Sequence, residues 1–387
     1  MPPRSRNFRL FVLLAAVPLG VMACSSSATS TGGASSSTLA GGDSSAASAN
    51  SAATAAGQAV TQLEARPTTL SMPALPSKPP TGKQVDVIAC GLPICQQYAA
   101  ADVQAAAAVG WTSKTLQAGL TPQGVAAAYD QAVRDKPAGV IGLGGFSPTL
   151  FSHQLTELAA EHVPMVVFGA YPYNLPGITW AGGLDQAEQT KMGTELADYI
   201  INDAHGQVIH AAIVTTPATP YFAMAHGPFI NTIKADCSAC TVDTYSFAES
   251  DIGTTLPADI VTYLTTHPDV NYLFFDFNNE VDGVPAALKT AGLASRVKIV
   301  MEDTSPTESA YIASGEVAAS AGLAFDEGQW EAWNLFLRNA MGLPLGPAEN
   351  FQLPNWIITK SNLPSTTSAF PVVADYQDLF KAAWHVP

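Results

Sequence analysis

From Val85 onward the chain alternates short apolar runs with segments of helical period. The runs Val85–Cys90, Gly139–Leu143, Pro164–Phe168, His210–Thr215, Tyr272–Phe275 and Lys298–Met301 are rich in apolar, mostly β-branched or aromatic residues and bounded by turn formers. That pattern predicts buried strands. The runs do not alternate polar with apolar, as suits a parallel sheet covered on both faces. Helix starts are legible between them. Thr121-Pro122 and Ser147-Pro148 each set a capping residue before a first-turn proline. Ser305-Pro306 does the same, and Glu308 completes a capping box. Asp185 followed by Glu188 opens a further helix, with Met192, Leu196, Tyr199 and Ile200 on one face. The β-α alternation runs twice, before and after about residue 185. It predicts an α/β protein of two doubly wound parallel-sheet lobes. Ligands of such sheets sit at the carboxyl ends of the strands. Two lobes facing one another there make a cleft that a hinge can close.

The segment before Val85 has a different character. Arg4, Arg6 and Arg9 lead into the apolar run Leu10–Met22, which is short for a bilayer span. The run ends in Val21-Met22-Ala23-Cys24. A small residue before a cysteine at that point resembles the lipobox of bacterial lipoproteins. The resemblance implies a signal peptide over 1–23, cleavage before Cys24, and a lipid on the Cys24 sulfur that anchors the chain outside the cytoplasmic membrane. The plainer alternative is a secretory signal with a chance cysteine. Ser25 to Ala65 is almost all Ser, Ala, Thr and Gly, and Pro67 to Pro80 is proline-rich. Residues 24–82 therefore read as a disordered linker, with the folded part starting near Lys83. No later segment reads as a membrane span.

With 47% hydrophobic and 13% charged residues, 387 residues can build sizeable cores. The net charge of −15 excludes a nucleic-acid binder that works through a basic face, and docking on anionic lipid by charge. Four cysteines follow Cys24, namely Cys90, Cys95, Cys237 and Cys240. Outside the cell an even number points to disulfides, and the local pairings 90–95 and 237–240 are the simplest available. Two alternatives stand beside them. A four-thiolate zinc site is disfavoured by compartment and by the distance between the pairs. Redox chemistry at Cys237-Ser-Ala-Cys240 lacks a strand before it and a helix after it. The sequence holds no GxSxG, HExxH, P-loop or GxGxxG pattern. Neither enzyme activity nor a cofactor or metal is expected.

The order of segments resembles the type I periplasmic binding proteins of ABC importers, in the ribose- and galactose-binding branch, over about residues 84–363. The landmarks are Val85-Asp-Val-Ile-Ala-Cys-Gly-Leu-Pro93, Gly139-Val-Ile-Gly-Leu-Gly-Gly145, Pro164-Met-Val-Val-Phe168 and Asp198-Tyr-Ile200. In the second half they are His267-Pro-Asp-Val270, Ala287-Leu-Lys-Thr-Ala-Gly292 and Val300-Met-Glu-Asp-Thr304. The resemblance implies three crossings between lobes, near Gly183, Gly322 and Phe351. Residues 83–183 with 322–351 then form one lobe and 184–321 with 352–363 the other, leaving 364–387 as a C-terminal extension. The helix around Trp330–Met341 would return to the first lobe and the strand Trp356–Thr359 would finish in the second. It also implies a monomer that hands a small molecule, a sugar above all, to an ABC permease. A lipoprotein that presents its ligand to a sensory receptor, a binder of a less polar or aromatic guest, and a vestigial cleft are the other readings.

The resemblance places Asp303 on an aspartate that takes sugar hydroxyls, and Asn278 and Asn279 at a strand end with a polar contact. The family's charged clamps depart here: Gly169-Ala170 stands where an Asp-Arg pair is expected, and Ala225 with His226 where an arginine is expected. Burying a hydroxyl without a partner costs about 1–3 kcal/mol, so fewer polar clamps mean a less polar or differently held guest. Tyr171, Tyr173, Trp180, Tyr221 and Phe222 stand near loop ends, where a ring can stack on a ligand. The candidate ligand residues are therefore Asp303, Asn278, Asn279, Tyr171, Tyr173, Tyr221 and His226. Each has a plainer reading: a helix cap for Asp303, turn formers for the asparagines, loop surface for the tyrosines, and a helix-face residue for His226. Trp330 and Trp333 read as packing residues.

Overall fold

A computed structural model describes residues 43–387 apart from 92, 144–145, 170–174, 184–185, 218–220 and 346–350. In chain order, α1 (Asp43–Glu64) precedes β1 (Gln84–Cys90), α2 (Pro93–Val109), β2 (Thr112–Gly119), α3 (Pro122–Asp135), β3 (Gly139–Leu143), α4 (Ser152–Ala160), β4 (Met165–Gly169) and β5 (Ile178–Gly183). Next come α5 (Gln186–Ala204), β6 (His210–Thr215), α6 (Ala223–Asp236), β7 (Thr241–Ser246), α7 (Leu256–Thr266), β8 (Tyr272–Phe275), α8 (Val284–Thr290), β9 (Lys298–Glu302), α9 (Pro306–Ser314) and β10 (Ala319–Gly322). The chain closes with α10 (Phe325–Ala340), β11 (Trp356–Thr359) and α11 (Tyr376–Ala383).

The strands form two sheets. One has the order β2-β1-β3-β4-β5, parallel throughout. The other runs β11-β10-β9-β8-β6-β7 and is parallel except for β11, which pairs antiparallel with β10. The apolar runs become central strands: β3 and β8 are buried along their whole length. Four strands carry no apolar run and escape the pattern. β2 and β7 are edge strands with half-exposed polar residues, β10 is built of Ala, Ser and Gly, and β5 is the other edge of the first sheet. Thr121 caps α3 through Gly124 N at 3.1 Å, and Ser305 with Glu308 forms the capping box of α9. Ser147 caps nothing. Pro148–Leu150 is a single 3-10 turn, and α4 starts after it.

Residues 43–82 overturn the expected linker. The alanine-rich stretch forms α1, because alanine has the highest helix propensity. Its Ala56 and Val60 are buried. The proline-rich stretch packs too: Leu75 is in the core, and Trp111 Nε1 donates to Pro80 O at 2.6 Å. It lies against the C-terminal segment, where Leu75 N donates to Ala383 O at 2.9 Å and Arg66 Nε to Val372 O at 2.9 Å. Helix α10 ties these parts to the first sheet. Its Trp333 Nε1 donates to Asp102 Oδ1 of α2 at 2.8 Å, and its Trp330 stacks on Trp384 at 5.3 Å. The chain therefore leaves the second sheet at Gly322, runs along α2 of the first lobe in α10, and re-enters the second sheet at Trp356.

Candidate functional site

The carboxyl ends of β8 and β9 in the second lobe gather the polar residues. Each ends an apolar strand on an acid: Asp276 follows Phe275, and Asp303 follows Glu302. Asp303 has a positive φ of 60°, a left-handed conformation that a non-glycine residue adopts at some cost. Strand β10 holds it there, since Asp303 N donates to Ala321 O at 2.8 Å and Ser320 Oγ donates to Asp303 O at 2.5 Å. Residues kept in such conformations by their surroundings cluster at functional sites. Ser305 caps α9, so Asp303 is not needed for that task.

Asn278 sits beside Asp303 and donates from Nδ2 to Asp303 Oδ2 at 3.3 Å, while its Oδ1 accepts Asn279 N at 2.7 Å. Asn278 is buried, whereas Asn279 is exposed on the same turn. His226 lies on α6 with Nε2 2.8 Å from Asp276 Oδ1, so its ring is engaged by a buried carboxylate. Tyr221 is half-buried just before α6. It packs on Phe222 at 4.4 Å, and Phe222 lies 5.8 Å from Phe277. Tyr171, Tyr173 and Cys24 lie outside the described residues.

Sequence reasoning missed an acidic layer around these residues. Asp276, Glu280 and Glu302 are buried, and Gln189 of α5 reaches Glu302 Oε2 with Nε2 at a long 3.5 Å. Burial raises Glu302 and Glu280 well above the usual carboxylate range, and the charge on Asp276 raises both further. Asp303 is pushed up to about 7 by burial, less an offset from Thr304 N–H and with additions from Glu308 and Asp326. From the first lobe comes Tyr98 of α2, in ring contact with Phe325 at 4.9 Å. Burial raises the Tyr98 hydroxyl, and the charges of Asp303, Tyr221 and Asp326 add to it. The charges of Asp303 and Tyr221 thus act on Tyr98, and that of Asp326 on Asp303. Asp326, at the start of α10, also walls a groove of ≈ 620 Å³ shared with Gln97, Gln104 and Tyr376. The sequence offered one clue to this layer, a charged residue directly after an apolar strand. Tyr98 and Asp326 carry no local signal.

Both local disulfides form. Cys90–Cys95 joins the end of β1 to the first turn of α2, just before Tyr98, and Cys237–Cys240 closes the turn from α6 to β7. All four thiols are committed to these bridges, which removes the zinc alternative.

No protein-family model matches the chain, and no curated protein matches it. Solved structures do. A periplasmic ribose ABC transporter protein from Conexibacter woesei superposes with a TM-score of 0.63 at 16% identity, covering 75% of this chain and 95% of that one. The chain has the fold of the periplasmic binding proteins. A glucose-galactose binding protein from Geobacillus stearothermophilus aligns with a TM-score of 0.61 at 16% identity, over 74% of this chain and 100% of that one. An arabinose binding protein from the same organism gives 0.61 at 17% identity, over 73% and 98%. Among the described residues no helix is long and apolar enough to cross a membrane.

Proposed function

We propose that this chain is an extracytoplasmic solute-binding lipoprotein. It captures a small hydroxylated molecule, a sugar or a sugar-like compound, between its lobes and delivers it to an ABC permease. It performs no chemistry on the guest. The lipid on Cys24 keeps it at the membrane. The likeness in fold to proteins named for glucose-galactose, ribose and arabinose supports the class of ligand.

The observation that carries the reading is Asp303. It is nearly buried at a strand end and locked in a left-handed conformation by β10. A scaffold that pins a carboxylate in this way presets it for hydrogen bonds to a guest. Thermal melting of the full chain against a panel of monosaccharides and polyols is the test, because a guest that binds only the folded state raises the melting temperature. At least one member shifts the transition upward, and Asp303→Ala removes that shift while the unliganded protein still melts cooperatively. A flat response across the panel would remove the solute-binding reading. A retained shift in the variant would take Asp303 out of the site.

A further inference from the structure

The segment before β1 grips both lobes. On the second lobe, Glu64 O at the end of α1 accepts Asn362 Nδ2 at 2.9 Å and Trp356 Nε1 at 3.3 Å. Trp356 opens β11 opposite Gly322 of β10, and Asn362 Nδ2 also donates to Ile357 O of β11 at 2.8 Å. On the first lobe, Arg338 Nη2 of α10 donates to Pro73 O at 3.0 Å and to Ala74 O at 3.2 Å. Gly82 N then donates to Gly110 O at 2.9 Å, and Thr112 N of β2 to Lys83 O at 2.9 Å. Only residues 67–72 lie between Arg66 and Pro73, a stretch that spans at most ~25 Å when fully extended. Leu70 and Met72 within it pack against the core, which leaves little slack.

The C-terminal segment makes a second passage in the same direction. It leaves the second sheet at Thr359, and its Phe370 meets the Trp356 ring edge-on at 6.0 Å. It then joins α10, where Val373 N donates to Glu327 Oε1 at 2.6 Å and Trp384 Nε1 to Asn334 Oδ1 at 3.2 Å. Arg66 ties the two passages together. Its Cζ lies 5.1 Å over the buried Trp356 ring of the second lobe, while Nε and Nη2 donate to Val372 O and Pro371 O at 2.9 and 2.7 Å. A planar guanidinium can stack and donate at once, which an ammonium on a flexible stem does less well. One side chain therefore holds an aromatic ring of the second lobe and the backbone of a segment bound to the first.

We propose that the two terminal segments are straps across the junction of the lobes, knotted at Arg66, and that they restrict the motion of one lobe against the other. Lobes of this kind move by backbone rotation at the few residues where the chain crosses between them. Here any such rotation also shifts Trp356 relative to α10, so it must break the Arg66 contacts or stretch residues 67–72. The empty protein then samples fewer lobe arrangements than the crossings alone would allow. A guest has correspondingly less ordering to supply on binding. The proposal does not depend on which guest the cleft takes.

The test is the distance between spin labels on the two lobes, read by double electron–electron resonance without ligand. Labels go on Ala160→Cys of α4 and Lys289→Cys of α8, both exposed, in the full chain carrying Cys24→Ala, which removes the one thiol outside the two disulfides. Arg66→Met keeps the apolar stem and removes the donors and the charge. A second variant adds to it a Gly-Ser-Gly-Ser-Gly-Ser insert between the exposed Thr68 and Thr69, which lengthens the strap and leaves its grip on the first lobe. The parent gives one narrow distance distribution. Arg66→Met broadens it, and in the combined variant its width at least doubles. Thermal melting checks that each variant folds, and where the combined variant does not melt cooperatively, Arg66→Met alone decides. A combined variant with the parent's width and mean distance would overturn the straps, even if its melting temperature fell, because the segments would then serve stability only. An unchanged distribution in Arg66→Met would overturn Arg66 as the knot.

Discussion

Helices α5 and α6 cross closely in the second lobe, and Gly193 is the point of closest approach. A Cβ built on Gly193 lies 2.3 Å from Ala225 O and 3.1 Å from Ala225 C. These are backbone atoms of α6, so no side-chain rotation relieves the clash. Gly193→Ala must push the helices apart by the better part of an ångström. Overpacking of this kind costs about 1–3 kcal/mol, and a rigid backbone obstacle puts it at the upper end. Alanine regains about 1 kcal/mol of helix propensity over glycine. The net is a loss of about 2 kcal/mol, a fall of about 4 °C in melting temperature for a domain of a few hundred residues. Gly57→Ala provides the opposite sign from the same substitution. Its Cβ meets only the Asn202 Oδ1 end of a flexible side chain, at 2.8 Å. That variant gains about 0.5–1 kcal/mol. The assay is urea unfolding of both variants and the parent by fluorescence and far-UV circular dichroism. A Gly193→Ala protein as stable as the parent would refute the packing argument. A destabilised Gly57→Ala would show that Asn202 cannot yield and would refute the gain expected there.

Three further outcomes are expected. Glu331 and Glu327 of α10 are raised by burial to about 8 and about 7, so the folded state holds protons that the unfolded chain releases above about pH 4.5. Stability therefore falls as pH rises from about 5 to about 8, and Glu331→Gln flattens the fall in a series of melts across that range. Trp333→Phe leaves the buried Asp102 without its indole donor and costs about 1–3 kcal/mol, read as a lower urea midpoint with unchanged slope. Cys24→Ala releases the protein from membranes into the soluble extracellular fraction, and its retention in the membrane pellet would contradict the anchor.

The central strands and the two-lobed plan were legible because buried parallel strands must be apolar on both faces, as in Tyr272–Phe275 and Gly139–Leu143. Edge strands answer to a weaker rule. β7, Thr241–Ser246, mixes polar and half-exposed positions and leaves no contrast against a loop. Residues 43–82 misled for another reason. A Ser/Ala/Gly composition says only that no core forms within the segment, but Val60 and Leu75 find one on the rest of the molecule. The pairing of Asp303 with Asn278 was foreshadowed by their positions at neighbouring strand ends. The neighbourhood of Tyr98 and Asp326 was not foreshadowed, because α2 and α10 are brought together by pairings such as Trp333–Asp102, separated by 231 residues.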